Sequence, residues 1–177
     1  MAQAVGLIPA ALSPGTVADD PNDSFDPAGA GVVAFPVAVP AGTTYARFSL
    51  FDADVTAGSD LDLYVFNSAG TLVGISGTGT STEEVNLLNP AADTYTVYVH
   101  GFNVVGTTNF VLHSWVLGSA AAGNMTVSAP ATATLGATGA ISLTFNGLAP
   151  STKYLGSVAY SGSTGMPNPT IVRVDTP

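Results

Sequence analysis

Residues 94–100 read Thr94-Tyr95-Thr96-Val97-Tyr98-Val99-His100. Successive side chains of an extended strand point to opposite faces, so Tyr95, Val97 and Val99 share one face and Thr96, Tyr98 and His100 the other. One face suits burial and the other is amphipathic, as expected of a strand in a two-layered sheet. The same alternation recurs at residues 61–66, where Leu61, Leu63 and Val65 interleave with Asp62, Tyr64 and Phe66. Further β-branched and aromatic runs cover Val32 to Val39, Tyr45 to Asp52, Leu61 to Asn67, Leu72 to Ser76, Glu84 to Leu88, Thr94 to Phe102 and Asn109 to Leu117. Turn-forming clusters separate them at the spacing of a sandwich or barrel. No long segment carries the 3.6-residue apolar period of a helix, and Gly or Pro interrupts the chain every few residues. The fold class predicted is all-β.

The chain has 177 residues, of which 46% are hydrophobic, enough to bury a core. Charged residues make up only 8%, and the three cations Arg47, Lys153 and Arg173 face twelve carboxylates, for a net charge of −9. No basic patch can form to neutralise phosphates, so nucleic acid is excluded as a partner. The absence of cysteine removes disulfide frameworks, zinc knuckles and thiol nucleophiles. No apolar stretch approaches 18 residues, so no transmembrane helix and no membrane partner are expected. The N-terminal residues 1–15 lack a basic region and are broken by Pro9 and Pro14, so they do not read as a signal peptide; the chain reads as part of a longer precursor.

The small-residue run Gly118-Ser119-Ala120-Ala121-Ala122-Gly123 divides two strand-rich regions. The organisation expected is an N-terminal arm or linker at 1–18, a β-sandwich at 19–117, a linker at 118–123 and a small β-domain at 124–177. In that small domain, strands are expected at Met125 to Ser128, Ala140 to Phe145, Lys153 to Tyr160 and Thr170 to Val174, with a turn over 161–169. Its size is near the lower limit for independent folding.

The run Ser59-Asp60-Leu61-Asp62-Leu63-Tyr64-Val65-Phe66, then Ser68-Ala69-Gly70-Thr71-Leu72-Val73, then Asp93 to Gly101 resembles the bacterial pre-peptidase C-terminal domain. The resemblance spans roughly residues 19–117 and implies a jelly-roll-like β-sandwich of the kind appended to secreted proteases. Gly147-Leu148, Thr152 to Gly156, Val158 to Ser161 and Ile171 to Asp175 resemble the short fibronectin- or immunoglobulin-like domain that follows such a module in some secreted subtilisin-like proteases. Together they imply two successive β-sandwiches from the C-terminal accessory region of a secreted, extracellular protease, with the parent catalytic domain as a partner.

Catalytic equipment of the chain's own is sparse. A serine hydrolase needs a base and an orienting acid beside its nucleophile, and no G-x-S-x-G elbow is present. His100 and His113 flank the Gly101 to Gly106 turn and are expected on paired strands close to each other, without a third His or Cys to complete a zinc site. The only glutamates, Glu83 and Glu84, are neighbours on a strand and point to opposite faces, which denies them the role of a glycosidase pair. Gly77-Thr78-Gly79-Thr80 precedes a strand, with no Lys behind it, and reads as a hairpin loop.

Two sets of residues are candidate sites. Asp19-Asp20-Pro21-Asn22-Asp23-Ser24-Phe25-Asp26 concentrates hard oxygen ligands of the kind Ca²⁺ takes. Some collagenase domains of the family that this chain resembles bind Ca²⁺ at this junction. The resemblance therefore implies calcium at Asp20, Asn22 and Asp23, with Asp20 replacing a family glutamate, and Asp26 is the one further acid offered before the strand; the competing reading is an Asx-turn in a solvated linker. A second acidic group, Asp52, Asp54, Asp60 and Asp62, lies across one loop, and its Asp60-Leu61-Asp62 pair resembles the turn chemistry of that family more than a metal site. The aromatic side chains of Tyr64, Phe66, Tyr98, Phe102 and Trp115 are the natural anchors for a protein or polysaccharide polymer, because they bury much area at little entropic cost. The expected function is non-catalytic: substrate docking, secretion or stability of the parent enzyme. The alternative is a structural or adhesive surface protein that self-associates when the apolar arm Val5 to Leu12 adds to an exposed sheet edge.

Overall fold

The computed structural model describes residues 1–132, 134–162, 165–166 and 168–177. The chain forms two compact units, a larger one of residues 11–116 and a smaller one that combines residues 1–10 with 117–177. Helix is confined to a single 3-10 turn at Asp52–Asp54 among the described residues. No described helix is long and apolar enough to cross a membrane.

The larger unit is a sandwich of two four-stranded sheets. One sheet has the order β2 (Ala11–Ala18), β9 (Thr107–Leu117), β4 (Tyr45–Ser49) and β7 (Glu84–Leu88). The other runs β3 (Val32–Val39), β8 (Asp93–Asn103), β5 (Asp60–Phe66) and β6 (Leu72–Ser76). Consecutive strands thus alternate between sheets except at the β5–β6 hairpin, which is the strand order of a jelly roll. Pro36 is tolerated in β3, and Pro14 in β2, because both strands are sheet edges and a missing N–H breaks no central ladder.

Alternation decides which side chains meet between the sheets. Val33, Val99 and Leu63 face one another across β3, β8 and β5, and Phe35, Val97 and Val65 form the next row. From the opposite sheet, Phe48 of β4 with Phe110 and Leu112 of β9 close the core, each at most 1% exposed. Burying each such side chain is worth about 1.5–3 kcal/mol. Trp115, also on β9, is 1% exposed, so it is no surface anchor.

The smaller unit contains a three-stranded sheet, β1 (Ala2–Pro9), β12 (Lys153–Tyr160) and β13 (Thr170–Asp175), and a two-stranded ribbon, β10 (Met125–Ser128) with β11 (Ser142–Phe145). Ala4, Leu7, Met125, Tyr154, Val158 and Val172 form its core. The turn expected over 161–169 includes residues 163, 164 and 167, which lie outside the described residues.

Residues 1–18 differ most from expectation. In place of a linker they form two strands, β1 paired antiparallel with β12 and β2 paired antiparallel with β9. Pro9, Pro14, Gly6 and Gly15 look like breakers in sequence, yet Pro9 ends β1 and Pro14 lies on an edge, where both are harmless.

Candidate functional site

Two strands of the larger unit, β5 and β8, present Asp62, Tyr64 and Phe66 beside His100, Tyr98 and Thr96 on the outward face of their sheet, each pair directly in register. Phe102 continues the row on β8 and is 37% exposed. The segment 19–31, which connects β2 to β3, reaches this face and adds an aromatic side chain that sequence reasoning missed. Phe25 stacks on Tyr64 with ring centroids 3.8 Å apart and 8° between planes. It also meets Phe66 at 5.9 Å, Tyr98 edge-on at 5.6 Å and His100 edge-on at 5.9 Å. The result is an aromatic shelf of Phe25, Tyr64, Phe66 and Tyr98, all half-buried, with Phe102 at its end. The only sequence signal for Phe25 was an aromatic residue inside an otherwise polar turn.

The acidic junction holds that segment in place. Asp20 is 4% exposed, and its carboxylate accepts hydrogen bonds from the backbone N–H of Asn22 at 3.0 Å and of Ser24 at 3.2 Å. It also pairs with His100 Nε2 at 2.9 Å. The Asn22 N–H and then His100 hold the Asp20 carboxyl below the usual carboxylate range. Asp19 accepts from the Val104 N–H at 2.7 Å, and Asp26 accepts from the Ala28 N–H at 3.0 Å. Gly101 is required here by close approach: a Cβ on it would sit 2.2 Å from the Ala18 carbonyl oxygen.

These bonds define an Asx-turn. Asp20, the most buried of the four expected ligands, already has three donors on its carboxylate, and Asp23 and Asp26 are exposed. Among the described residues, no group of three or more His, Asp or Glu side chains converges on a position able to hold a metal ion.

The second acidic group is split by the fold. Asp62, 6% exposed, lies 3.6 Å from His100 Nδ1, on the side of the ring opposite Asp20. Burial and then the neighbouring Asp60 push the Asp62 carboxyl up, against the pull of His100. Burial, followed by the charges of Glu83 and Asp52, does the same to Asp60. Asp54 belongs to the other side of the sandwich and pairs with His113 at 2.9 Å.

The two histidines therefore do not share a strand pair. His100 is on β8 and His113 on β9, in different sheets, because the turn between these strands crosses from one layer to the other. His113 is enclosed by Phe51 and Trp115. Each imidazole is buried against a carboxylate, and the Nδ1 of each has no hydrogen-bonding partner among the described residues. The glutamates point to opposite faces as alternation requires. Glu83 is 1% exposed and accepts from Ser76 and from the N–H and Oγ1 of Thr78, whereas Glu84 is exposed and pairs with Arg47 at 3.0 Å.

Comparison with known proteins finds a likeness for the central part of this sandwich. Residues 31–101, from the start of β3 to within β8, match the bacterial pre-peptidase C-terminal domain. The match lies wholly inside the larger unit and stops short of the 19–26 segment and of β9. The chain is also 38% identical over 68 residues to pyrolysin of Pyrococcus furiosus. That stretch is 38% of this chain and 5% of pyrolysin. The smaller unit lies outside the family match, and its antiparallel β-sheet is consistent with the expected fibronectin- or immunoglobulin-like domain.

Proposed function

We propose that this chain is a non-catalytic accessory region of a secreted, extracellular subtilisin-like protease, and that its pre-peptidase C-terminal domain docks polymeric substrate on the aromatic shelf for the parent catalytic domain. The family match and the likeness to pyrolysin support the first half. The observation that carries the second is the gathering of Tyr64, Phe66, Tyr98 and Phe102, four of the five aromatic candidates, with Phe25 on one outward face. Flat rings standing partly clear of the sheet offer area for the apolar faces of a protein or sugar polymer, and the flanking carboxylates leave no cationic grip for a polyanion.

The alternative, a surface protein that self-assembles by adding an unpaired N-terminal arm to an exposed sheet edge, has less support, because residues 2–9 and 11–18 pair with β12 and β9 within one copy. Sedimentation with insoluble collagen, keratin, chitin and cellulose tests the docking reading. One of these polymers is expected to retain the chain, and Phe66→Ala with Tyr98→Ala to reduce the bound fraction several-fold while thermal unfolding shows the variant folded. Retention by none of the four, or equal retention of the variant, would assign the domain to stability or secretion of its parent instead.

A further inference from the structure

We infer that the slot beside β12 filled by β1 is an interaction surface for a second copy of this chain, which forms a dimer by reciprocal exchange of residues 2–9. The connectivity creates the opportunity. Every other strand of the smaller unit comes from residues after 117, whereas β1 precedes the whole larger unit. Ala10 alone separates β1 from β2, which belongs to the larger unit. As the chain is synthesised, β1 waits for about 150 residues until β12 emerges, and units fold as their sequence becomes complete. During that interval Val5 and Leu7, 5% and 1% exposed in the finished fold, have no core to enter. The connector is a single residue, whose N–H donates to the Lys153 carbonyl at 2.9 Å, so exchange carries that bond to the other copy along with β1.

The slot is shaped for this sequence in particular. Gly6 has φ of +81°, and a Cβ on it would lie 2.9 Å from Gly156 Cα. A Cβ on Gly156 would in turn lie 2.7 Å from the Val5 carbonyl oxygen. The two backbones touch because both residues are glycine. On its other side β1 is held by hydrogen bonds from the Gly6 N–H to the Ala120 carbonyl at 3.0 Å and from the Ala122 N–H to the Gly6 carbonyl at 2.8 Å. The side-chain amide of Asn124 brackets Leu7, accepting from its N–H at 2.9 Å and donating to its carbonyl at 3.0 Å. A strand bearing a side chain at the Gly6 position collides with Gly156, so the fitting occupant is residues 2–9, its own or another copy's.

The contacts are the same in cis and in trans, so chain concentration against the intramolecular effective concentration sets the balance. A reciprocal exchange closes on itself as a two-fold dimer. Because β1 is bonded on both sides, exchange occurs during folding and the dimer then persists. The net charge of −9 on each copy opposes association, so added salt raises the yield.

The cysteine-free chain makes a clean test possible. Gln3 and Ala159 are directly opposed across β1 and β12, and Gln3 is exposed. Such a pair is within the Cα separation of a disulfide. The chain with Gln3→Cys and Ala159→Cys is refolded over a range of concentrations, and separately the two single variants are refolded as a mixture. The inference predicts covalent dimer from the double variant whose share rises with concentration, and covalent dimer from the mixture several-fold above either single variant alone. Light scattering of the unsubstituted chain, refolded at the highest concentration, should show a dimer that survives dilution. Closure of the double variant within monomers at every concentration, with the mixture no better than its components, would overturn the inference.

Discussion

Replacing Leu7 by Ala asks whether the N-terminal residues are arm or core. Leu7 is 1% exposed and is one of six buried residues around which the smaller unit packs. Truncating a Leu at such a site removes its transfer free energy and leaves a cavity, at a cost of about 2–5 kcal/mol. A unit of this size has total stability of order 0.05–0.15 kcal/mol per residue, so the substitution removes a large part of it. Amide exchange read by mass spectrometry separates the two units: peptides from 153–160 and 170–175 should lose protection, while those from 93–103 should keep it. Trp115, the only tryptophan, lies in the larger unit, so the fluorescence transition should move far less than the loss of protection. Leu12→Ala serves as the control, because Leu12 is 61% exposed and its loss should cost no more than about 0.5 kcal/mol. If Leu7→Ala costs as little as Leu12→Ala, residues 2–9 are not part of the core and the strand assignment is wrong.

Gly101→Ala forces a methyl to within 2.2 Å of the Ala18 carbonyl oxygen, and urea unfolding should show a loss of about 1–3 kcal/mol from the larger unit. A loss below 0.5 kcal/mol would mean that the 18–20 backbone moves aside freely. Asp60 has a carboxyl raised above its unfolded value of 3.8 by burial and by Glu83 and Asp52, so the folded state holds its proton more tightly and this residue costs stability as pH rises through that window. Asp60→Asn should accordingly gain stability over the parent at pH 7, with the gain shrinking below pH 4; a gain independent of pH would remove ionisation as its cause. Because the Asp20 carboxylate is already taken by Asn22, Ser24 and His100, titration with CaCl₂ should release no heat and EDTA should leave the melting temperature unchanged. A saturable heat abolished by Asp20→Asn would show that segment 19–26 rearranges to bind the ion.

Much of the architecture is local in origin, and the sequence carries it. Alternation at Leu61 to Phe66 and Thr94 to His100 sets a two-residue period whose apolar phase must be buried, and β-branched and aromatic runs bounded by turn formers mark the strands at 32–39, 72–76, 84–88, 125–128 and 153–160. It also determines that Glu83 and Glu84 diverge. Pairing partners are another matter, because they depend on contacts distant in the chain. Nothing near Ala2 to Pro9 announces that Gly156 will sit against Gly6, so proline and glycine there read as breakers when they are an edge terminus and a close approach. Nothing near His100 announces Asp20, 80 positions away, or near His113 announces Asp54; which layer each strand joins decides those pairs, and it separates the two histidines. Likewise, the sequence places Tyr64, Phe66 and Tyr98 on an outward face. Only the tertiary path of residues 19–31, held by the Asp20–His100 bond, lays Phe25 across them, and only the packing of β9 withdraws Trp115 into the interior.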